Sequence, residues 1–299
     1  MKWWTTLRQA ALAGAFCAAL AACAPAAARI VEEQFELPVQ VSDAAGKPVA
    51  RAIVLTLFRD DARPGRSPLL VINHGRAADA PQRAAFGRSR SADTARWFVR
   101  NGFIVVLPTR IGYGVTGGDD LEDTGACNAK RYAPGYAAAA QQTLAVLAAM
   151  RGRADVNADR AVVLGQSFGG LTSVAVAALA PPGVVAAINF AGGGGGNPKT
   201  QPGRPCAPQQ IERLVADYAA SARMPMLWVY TENDQYFGAA HPREWFTAFR
   251  KAGGAAEFIQ FPPAGEDGHR LFAESPAVWR PAVADFLRRQ GFDIKDSMP

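Results

Sequence analysis

Histidine, cysteine and long apolar runs are scarce in this chain of 299 residues. There are three histidines and four cysteines, so any role for a histidine base has only three candidates. The formal net charge of +6 is modest, and the arginines are scattered rather than gathered in a basic run interleaved with aromatic residues. We therefore expect no nucleic-acid partner. Apolar residues make up 49% of the chain, enough to give one domain a large buried core.

The amino terminus has the pattern of an export signal. Lys2 and Arg8 flank a short charged start, and the alanine-rich run from Ala10 to Ala22 is too short to span a bilayer as a stable helix. Leu20, Ala21, Ala22 and Cys23 resemble a bacterial lipobox, in which the cysteine becomes the lipidated first residue of the mature protein.

This pattern sets the predicted domain organisation. Residues 1–22 are a signal peptide cleaved before Cys23, residues 23–34 a linker and residues 35–299 a single domain. The protein would then be exported and held on the membrane by a lipid anchor, facing the periplasm. Cleavage after the small residues Ala26 to Ala28 is the alternative; it would discard Cys23 and leave a soluble periplasmic or secreted protein.

Apolar and β-branched segments alternate with helical segments along the domain. The spacing predicts strands over 36–42, 52–58, 69–73, 103–107, 161–164, 184–190, 224–230 and 256–261. Helices are predicted over 84–101, 135–151, 171–180, 207–223, 241–252 and 276–290. This order is typical of an α/β fold, a mostly parallel sheet with helices on both faces and no large lid domain. Sites in such sheets lie at the carboxyl ends of strands.

The segment AVVLGQSFGG, from Ala161 to Gly170, combines a buried strand with the pattern G-x-S-x-G. This pattern predicts a sharp strand-to-helix turn that exposes Ser167 as a nucleophile. Gly165 and Gly169 lack side chains, so the neighbouring backbones can approach closely. The alternative is a chance match in a Gly-rich chain, which the preceding strand and the following helical run oppose.

A nucleophilic serine needs a histidine base, and the base needs a third group that orients it. Enzymes with this turn place serine, acid and histidine in that chain order, which favours His269 on the loop after the last strand. Asp234 follows the strand over 224–230 and is the predicted acid, with Glu232 as the nearest rival. Asp267 is too close to His269 and is interpreted as a turn residue.

Two backbone N–H groups are expected to hold the oxyanion that forms during attack. One belongs to Phe168, the residue after the nucleophile. The other is assigned to Arg76, on the loop after the third strand, with Gly75 as the alternative. His74 is interpreted as structural.

Two loop segments have less specific patterns. The acidic group Asp119, Asp120, Glu122 and Asp123 fits no calcium-binding spacing, so we interpret it as solvated surface. The glycine run from Gly192 to Gly196 is either a flexible connector or backbone that lines the site.

Cys127 and Cys206 are predicted to form a disulfide. They are the cysteines that are left once Cys17 is removed with the signal and Cys23 is acylated, and exported proteins meet an oxidising compartment. Both should lie over the carboxyl edge of the sheet. The alternative is two separate thiols.

Five motifs together resemble the α/β hydrolases, in particular the dienelactone-hydrolase-like branch, over about residues 35 to 290. They are NHGR, PTRIGYG, GQSFGG, YTENDQYF and DGHRLF. Dienelactone hydrolases carry a cysteine at the position of Ser167, and a serine there favours ester hydrolysis.

The resemblance and the site residues lead to one functional hypothesis. It is a serine hydrolase that cleaves small-molecule carboxylic esters, with small to medium acyl groups, through an acyl-enzyme. No metal or organic cofactor is implied. A peptidase or amidase with the same residues and an inactive envelope binding protein are the alternatives, and the sequence does not set the oligomeric state.

Overall fold

A computed structural model describes residue 1 and residues 28–295 of the protein. The proposed signal peptide and the lipidation site Cys23 lie outside these residues. Eight strands form one sheet, and their bounds are β1 Ile30–Ser42, β2 Pro48–Asp60, β3 Ser67–Asn73, β4 Ile104–Thr109, β5 Val156–Gln166, β6 Val184–Phe190, β7 Met226–Thr231 and β8 Ala256–Phe261.

The strand order across the sheet is β1-β2-β4-β3-β5-β6-β7-β8. β1 pairs antiparallel with β2, and β2 pairs antiparallel with β4, whereas the strands from β4 to β8 run parallel. This confirms the predicted mostly parallel sheet. The predicted linker is too long, because residues 30–34 already pair with β2.

Eight α-helices occur within residues 28–295, and seven of them, all except the first, pack on the two faces of the sheet. Their bounds are α1 Ala80–Ala84, α2 Ala92–Arg100, α3 Tyr132–Arg151, α4 Phe168–Ala178, α5 Pro208–Ala219, α6 Ala240–Lys251, α7 Leu271–Glu274 and α8 Pro276–Arg289. Apolar side chains of α3, α4, α5 and α6 pack in one core cluster, and those of α2, α7 and α8 pack in another on the opposite face. The sheet is therefore buried on both sides, as a parallel sheet requires.

Several bounds differ from the predicted ones, most clearly in the helix predicted over 84–101 and at the end of β4. The helix predicted over 84–101 begins only at Ala92, because Gly87 has a φ of 69° and the N–H of Ser89 donates a hydrogen bond to the Thr109 hydroxyl on β4. β4 continues through Pro108 rather than ending there, with Pro108 opposite Leu55 of β2. The missing N–H of proline is tolerated because Pro108 lies near the end of the strand.

The central strands end together at one edge of the sheet. Asn73 of β3 lies opposite Gly165 of β5, and Gly165 lies opposite Asn189 of β6. The Asn73 side chain accepts a hydrogen bond from Thr143 of α3 and donates one to Ser173 of α4. These bonds fix two helices against the edge where β5 turns. Among the described residues, none of the helices is both long and apolar enough to cross a bilayer.

Candidate active site

Ser167 lies in the turn between β5 and α4 with φ 57° and ψ −124°. A non-glycine residue rarely adopts a positive φ, and such strain is typical of functional positions. The glycines of the motif make the turn possible: a Cβ on Gly165 would overlap the carbonyl of Gly169, and a Cβ on Gly169 would overlap the carbonyls of Asn73 and His74. The geometry is that of the predicted nucleophile turn.

His269 and Asp234 form a buried pair beyond the ends of β8 and β7. His269 Nδ1 lies 2.9 Å from Asp234 Oδ2, and the two residues are 5% and 2% exposed. Asp234 Oδ1 accepts hydrogen bonds from the backbone N–H groups of Tyr236, at 2.8 Å, and Phe237, at 2.9 Å. Both carboxylate oxygens of Asp234 are therefore occupied, and its orientation toward His269 is fixed.

The residues that competed for these roles have other positions. Glu232 is exposed, and its N–H bonds to the carbonyl of Phe261. Asp267 accepts hydrogen bonds from the N–H groups of His269 and Gln235, so it shapes the turn that carries His269, as expected. His241 begins α6 and lies 2.9 Å from Glu244, within the same helix.

Gln166 connects the serine turn to the histidine loop. Its Nε2 donates a hydrogen bond of 3.1 Å to the backbone carbonyl of His269. The loop after β3 approaches the same place, since a Cβ on Gly75 would lie 2.8 Å from Gln166 Oε1 and 3.2 Å from Ser167 Cβ. Ser167, the His269 loop and the residues expected to supply oxyanion donors thus meet at one edge of the sheet.

Arg76, the predicted second oxyanion donor, is held by the acidic loop. Its guanidinium donates two hydrogen bonds to Asp120, at 2.7 and 2.6 Å, and Arg83 lies 3.1 Å from the same carboxylate. Burial would raise the pKa of Asp120, but the Arg76 bonds hold it below its usual range. The interpretation of this loop as solvated surface is wrong at Asp120.

The interpretation fails more completely at Glu122, which is fully buried in an ion pair with Arg110. The hydroxyl of Tyr113 donates a hydrogen bond of 2.6 Å to Glu122. Arg110 donates to the carbonyl of His74 at 2.8 Å, and its N–H lies 3.2 Å from His74 Nε2. A buried cation attracts a buried anion from the loop, so the spacing of acidic residues alone misplaces Glu122.

His74 has the structural role that the sequence suggested. Its Nδ1 lies 2.7 Å from the carbonyl of Gly75, and its ring packs against Phe86 and Tyr113 at centroid distances of 4.6 Å. Burial, together with the Arg110 guanidinium, lowers the pKa of His74 well below its usual value. A neutral ring that donates from Nδ1 and accepts at Nε2 satisfies both neighbours.

The glycine run is closely packed rather than flexible. A Cβ on Gly193 would meet Phe237 and Trp245, one on Gly194 would meet Tyr132, and one on Gly196 would lie 2.7 Å from Tyr236. The N–H of Gly193 bonds to the carbonyl of Ser167 at 3.4 Å. The run is therefore backbone that passes beside the site, which favours lining over a flexible connector.

Cys127 and Cys206 are joined by the predicted disulfide, with their Cα atoms 5.1 Å apart. The N–H of Cys206 bonds to the carbonyl of Gly195, and its carbonyl accepts a hydrogen bond from Tyr132. The bond thus ties the loop before α3 to the glycine run. No group of side chains suited to hold a metal ion occurs in the described residues.

The fold and this site define the class of the protein. A mostly parallel sheet covered on both faces, with a strained serine after a central strand, is the architecture of an α/β hydrolase. A model of the dienelactone hydrolase family matches residues 83–285, which include Ser167, Asp234 and His269. The chain belongs to the dienelactone hydrolase family, and the predicted family is confirmed. No match to the sequence was found among curated proteins.

Solved structures share the fold at low sequence identity. A putative dienelactone hydrolase from Klebsiella pneumoniae is 18% identical, with a TM-score of 0.54, and the match covers 87% of this chain and 98% of that one. An acetyl xylan esterase from Paenibacillus sp. R4 is 16% identical, with a TM-score of 0.56, covering 88% and 89%. An acylaminoacyl peptidase from Pyrococcus horikoshii is 11% identical, with a TM-score of 0.58, covering 89% of this chain and 42% of that one.

Sequence reasoning missed three features of the site. Gln166 occupies a variable position of the serine motif, and nothing in the pattern indicates that it bonds to the histidine loop. Tyr236 lies in the YTENDQYF motif, whose pattern does not indicate that its ring stacks on His269. The sequence contains one weak indication that Arg110 pairs with Glu122, since both residues lie in one long loop that begins at the end of a buried strand.

Proposed function

We propose that the protein is an exported serine hydrolase that cleaves carboxylic esters of small to medium acyl groups. The observation that carries this proposal is the buried His269–Asp234 pair, held at the same sheet edge as the strained Ser167. The esterase among the structural neighbours supports ester chemistry. A serine at the nucleophile position also favours an acyl-enzyme route.

The reaction begins when His269 Nε2 takes the proton of the Ser167 hydroxyl and the oxygen attacks the ester carbonyl. Asp234 holds the Nδ1–H and stabilises the imidazolium that forms. The backbone N–H groups of Phe168 and Arg76 stabilise the oxyanion, and Phe168 begins α4, where the helix dipole also favours negative charge. The imidazolium then gives its proton to the leaving alcohol, and water hydrolyses the acyl-enzyme by the same steps.

The test is labelling by a fluorophosphonate probe together with turnover of a panel of nitrophenyl esters. Ser167→Ala and His269→Ala should each lower kcat by about 10⁴-fold or more, because the three residues act as a unit. His241→Ala is the matched control and should stay within about twofold of the parent, since its ring pairs only within α6. Activity retained by Ser167→Ala would reject the assignment.

The same panel tests the alternatives. Aminoacyl anilides measure amide cleavage, and faster turnover of these than of esters would favour a peptidase. A folded protein that neither labels nor turns over any member of the panel would favour a binding protein.

We also propose that Cys23 is lipidated after signal cleavage, which would anchor the enzyme on the membrane facing the periplasm. The Cys127–Cys206 disulfide supports an oxidising compartment. Two or three acyl chains would give stable attachment, whereas one would not. Mass spectrometry of the mature amino terminus is the test: a diacylated or triacylated Cys23 is expected, and a soluble form beginning near Arg29 or Ile30 would refute it.

A further inference from the structure

The imidazole of His269 is enclosed by two aromatic rings. The ring of Tyr236 is stacked on it, with centroids 4.1 Å apart and planes inclined by 24°. The ring of Phe237 makes a T-shaped contact with the imidazole, with centroids 5.1 Å apart and planes inclined by 80°. The hydrogen bond between His269 and Asp234 acts in the plane of the imidazole, so it does not explain why a ring covers its face.

Tyr236 is fixed in this position from two sides. Its backbone N–H bonds to Asp234 Oδ1, so the residue that orients His269 also holds the backbone of the stacked ring. Gly196 lies behind it, where any Cβ would crowd Tyr236. The Tyr236 hydroxyl has no hydrogen-bond partner within residues 28–295, and the ring alone makes the contact with His269.

We propose that Tyr236 is a positioning residue for acyl transfer: its π face holds the His269 ring against rotation and stabilises the imidazolium formed when Ser167 attacks. This inference rests on the proposed function. An aromatic face attracts a cation placed over it, and the attraction is strongest where water is excluded. The neutral imidazole gains less, so the stacked ring favours the charged intermediate over the ground state.

The charged groups near His269 are the carboxylates of Asp234 and Asp267 and the guanidinium of Arg270. Asp234 bonds to Nδ1, Asp267 bonds to the backbone N–H of His269, and Arg270 pairs with Glu274 at 2.6 Å. Gln166, which bonds to the His269 carbonyl, is neutral. A substitution confined to Tyr236 keeps all of these charges, so a change in titration can be assigned to the ring.

The experiment compares Tyr236→Phe and Tyr236→Leu with the wild-type enzyme in pH profiles of kcat and kcat/KM on a short nitrophenyl ester. Phenylalanine keeps the π face and should stay within about twofold of wild type. Leucine keeps the imidazole covered but removes the π face. It should lower kcat about 3- to 30-fold with little change in KM, and shift the acid limb of kcat/KM down by about 0.5 to 1.5 pH units.

A second measurement does not depend on activity. In the Ser167→Ala background, the His269 imidazole is titrated by NMR with tyrosine, phenylalanine or leucine at position 236, and a lower pKa is expected only for leucine. The inference is overturned if leucine moves neither titration, or if phenylalanine loses as much as leucine. Loss of turnover in the leucine variant without a shift in either titration would also overturn it, because the ring would then only pack. An inactive wild-type enzyme would reject the proposed function, while the NMR titration still tests the stack.

Discussion

Replacing Glu122 by glutamine should destabilise the protein strongly while leaving almost every atom of the side chain in place. Glu122 accepts hydrogen bonds from Arg110 and from the Tyr113 hydroxyl, and both members of the ion pair are fully buried. The substitution removes only the negative charge and replaces one acceptor oxygen by an NH₂ donor. It leaves the Arg110 guanidinium buried without a counter-charge.

The magnitude follows from this burial. Burial alone would lower the pKa of Arg110, but the Glu122 carboxylate holds this pKa above its usual range. The guanidinium is therefore charged in the wild-type protein. Breaking a buried pair by removing one partner lowers the free energy of unfolding by about 3 to 5 kcal/mol. This loss is a large part of the free energy of unfolding of a typical domain, which is about 5 to 15 kcal/mol.

Urea unfolding followed by tryptophan fluorescence measures the effect. With a slope of about 3 kcal/mol per M, the midpoint of the Glu122→Gln variant should fall by about 1 to 1.7 M. Glu36→Gln is the matched control: Glu36 is exposed on β1, and its substitution should change the unfolding free energy by less than about 0.5 kcal/mol. A loss below about 1 kcal/mol at Glu122 would refute the idea that Arg110 depends on this charge.

A double-mutant cycle sharpens the same prediction. Arg110→Met leaves the Glu122 carboxylate buried and unpaired, and should be destabilising for the same reason. Glu122→Leu is the second single variant of this cycle and leaves Arg110 unpaired. Combining it with Arg110→Met removes both charges, and the double variant should be more stable than the sum of these two single losses indicates. Strict additivity would mean that the two side chains do not interact.

The remaining predictions concern the disulfide and His74. Replacing Cys127 and Cys206 together by serine opens a link between residues 79 apart, which should lower the unfolding free energy by about 4.5 kcal/mol in the loop-entropy model. Thiol counting on the denatured, unreduced parent should find neither cysteine free. The pKa of His74 is lower in the folded protein than in the unfolded chain, so the unfolded state binds more protons below about pH 6.5 and stability falls as the pH falls. Urea titrations between pH 7.5 and 5.5 should show this as a shallower pH dependence of the unfolding free energy in His74→Asn, and equal slopes for the two proteins would contradict it.

The order and type of the main elements could be predicted because the apolar pattern of a buried parallel sheet is strong. β6 and β8 have the predicted bounds: β6 is a mostly apolar run, and β8 places Phe258, Ile259 and Phe261 among polar residues. The chain order of Ser167, Asp234 and His269 also predicts that each follows a different parallel strand, and in the structure they follow β5, β7 and β8 at the carboxyl edge of the sheet.

What the sequence could not predict depends on contacts between distant segments. The spacing of Glu122 within an acidic group suggested exposure, and only its contact with Arg110 accounts for its burial. The late start of the helix predicted over 84–101 has the same origin, because Ser89 bonds to Thr109 on β4. In both places a tertiary contact outweighs the local pattern.

The position of β8 has a consequence for how the protein loses activity on warming. β8 pairs with β7 alone among the described strands, and its residues are only partly buried, yet the loop that carries His269 follows it directly. Edge elements open at lower free energy than central ones, so the imidazole can leave its partners while β5 still holds Ser167 in place. Thermal inactivation would then begin as a local opening at this edge, reversible on cooling, at temperatures where the rest of the sheet remains folded.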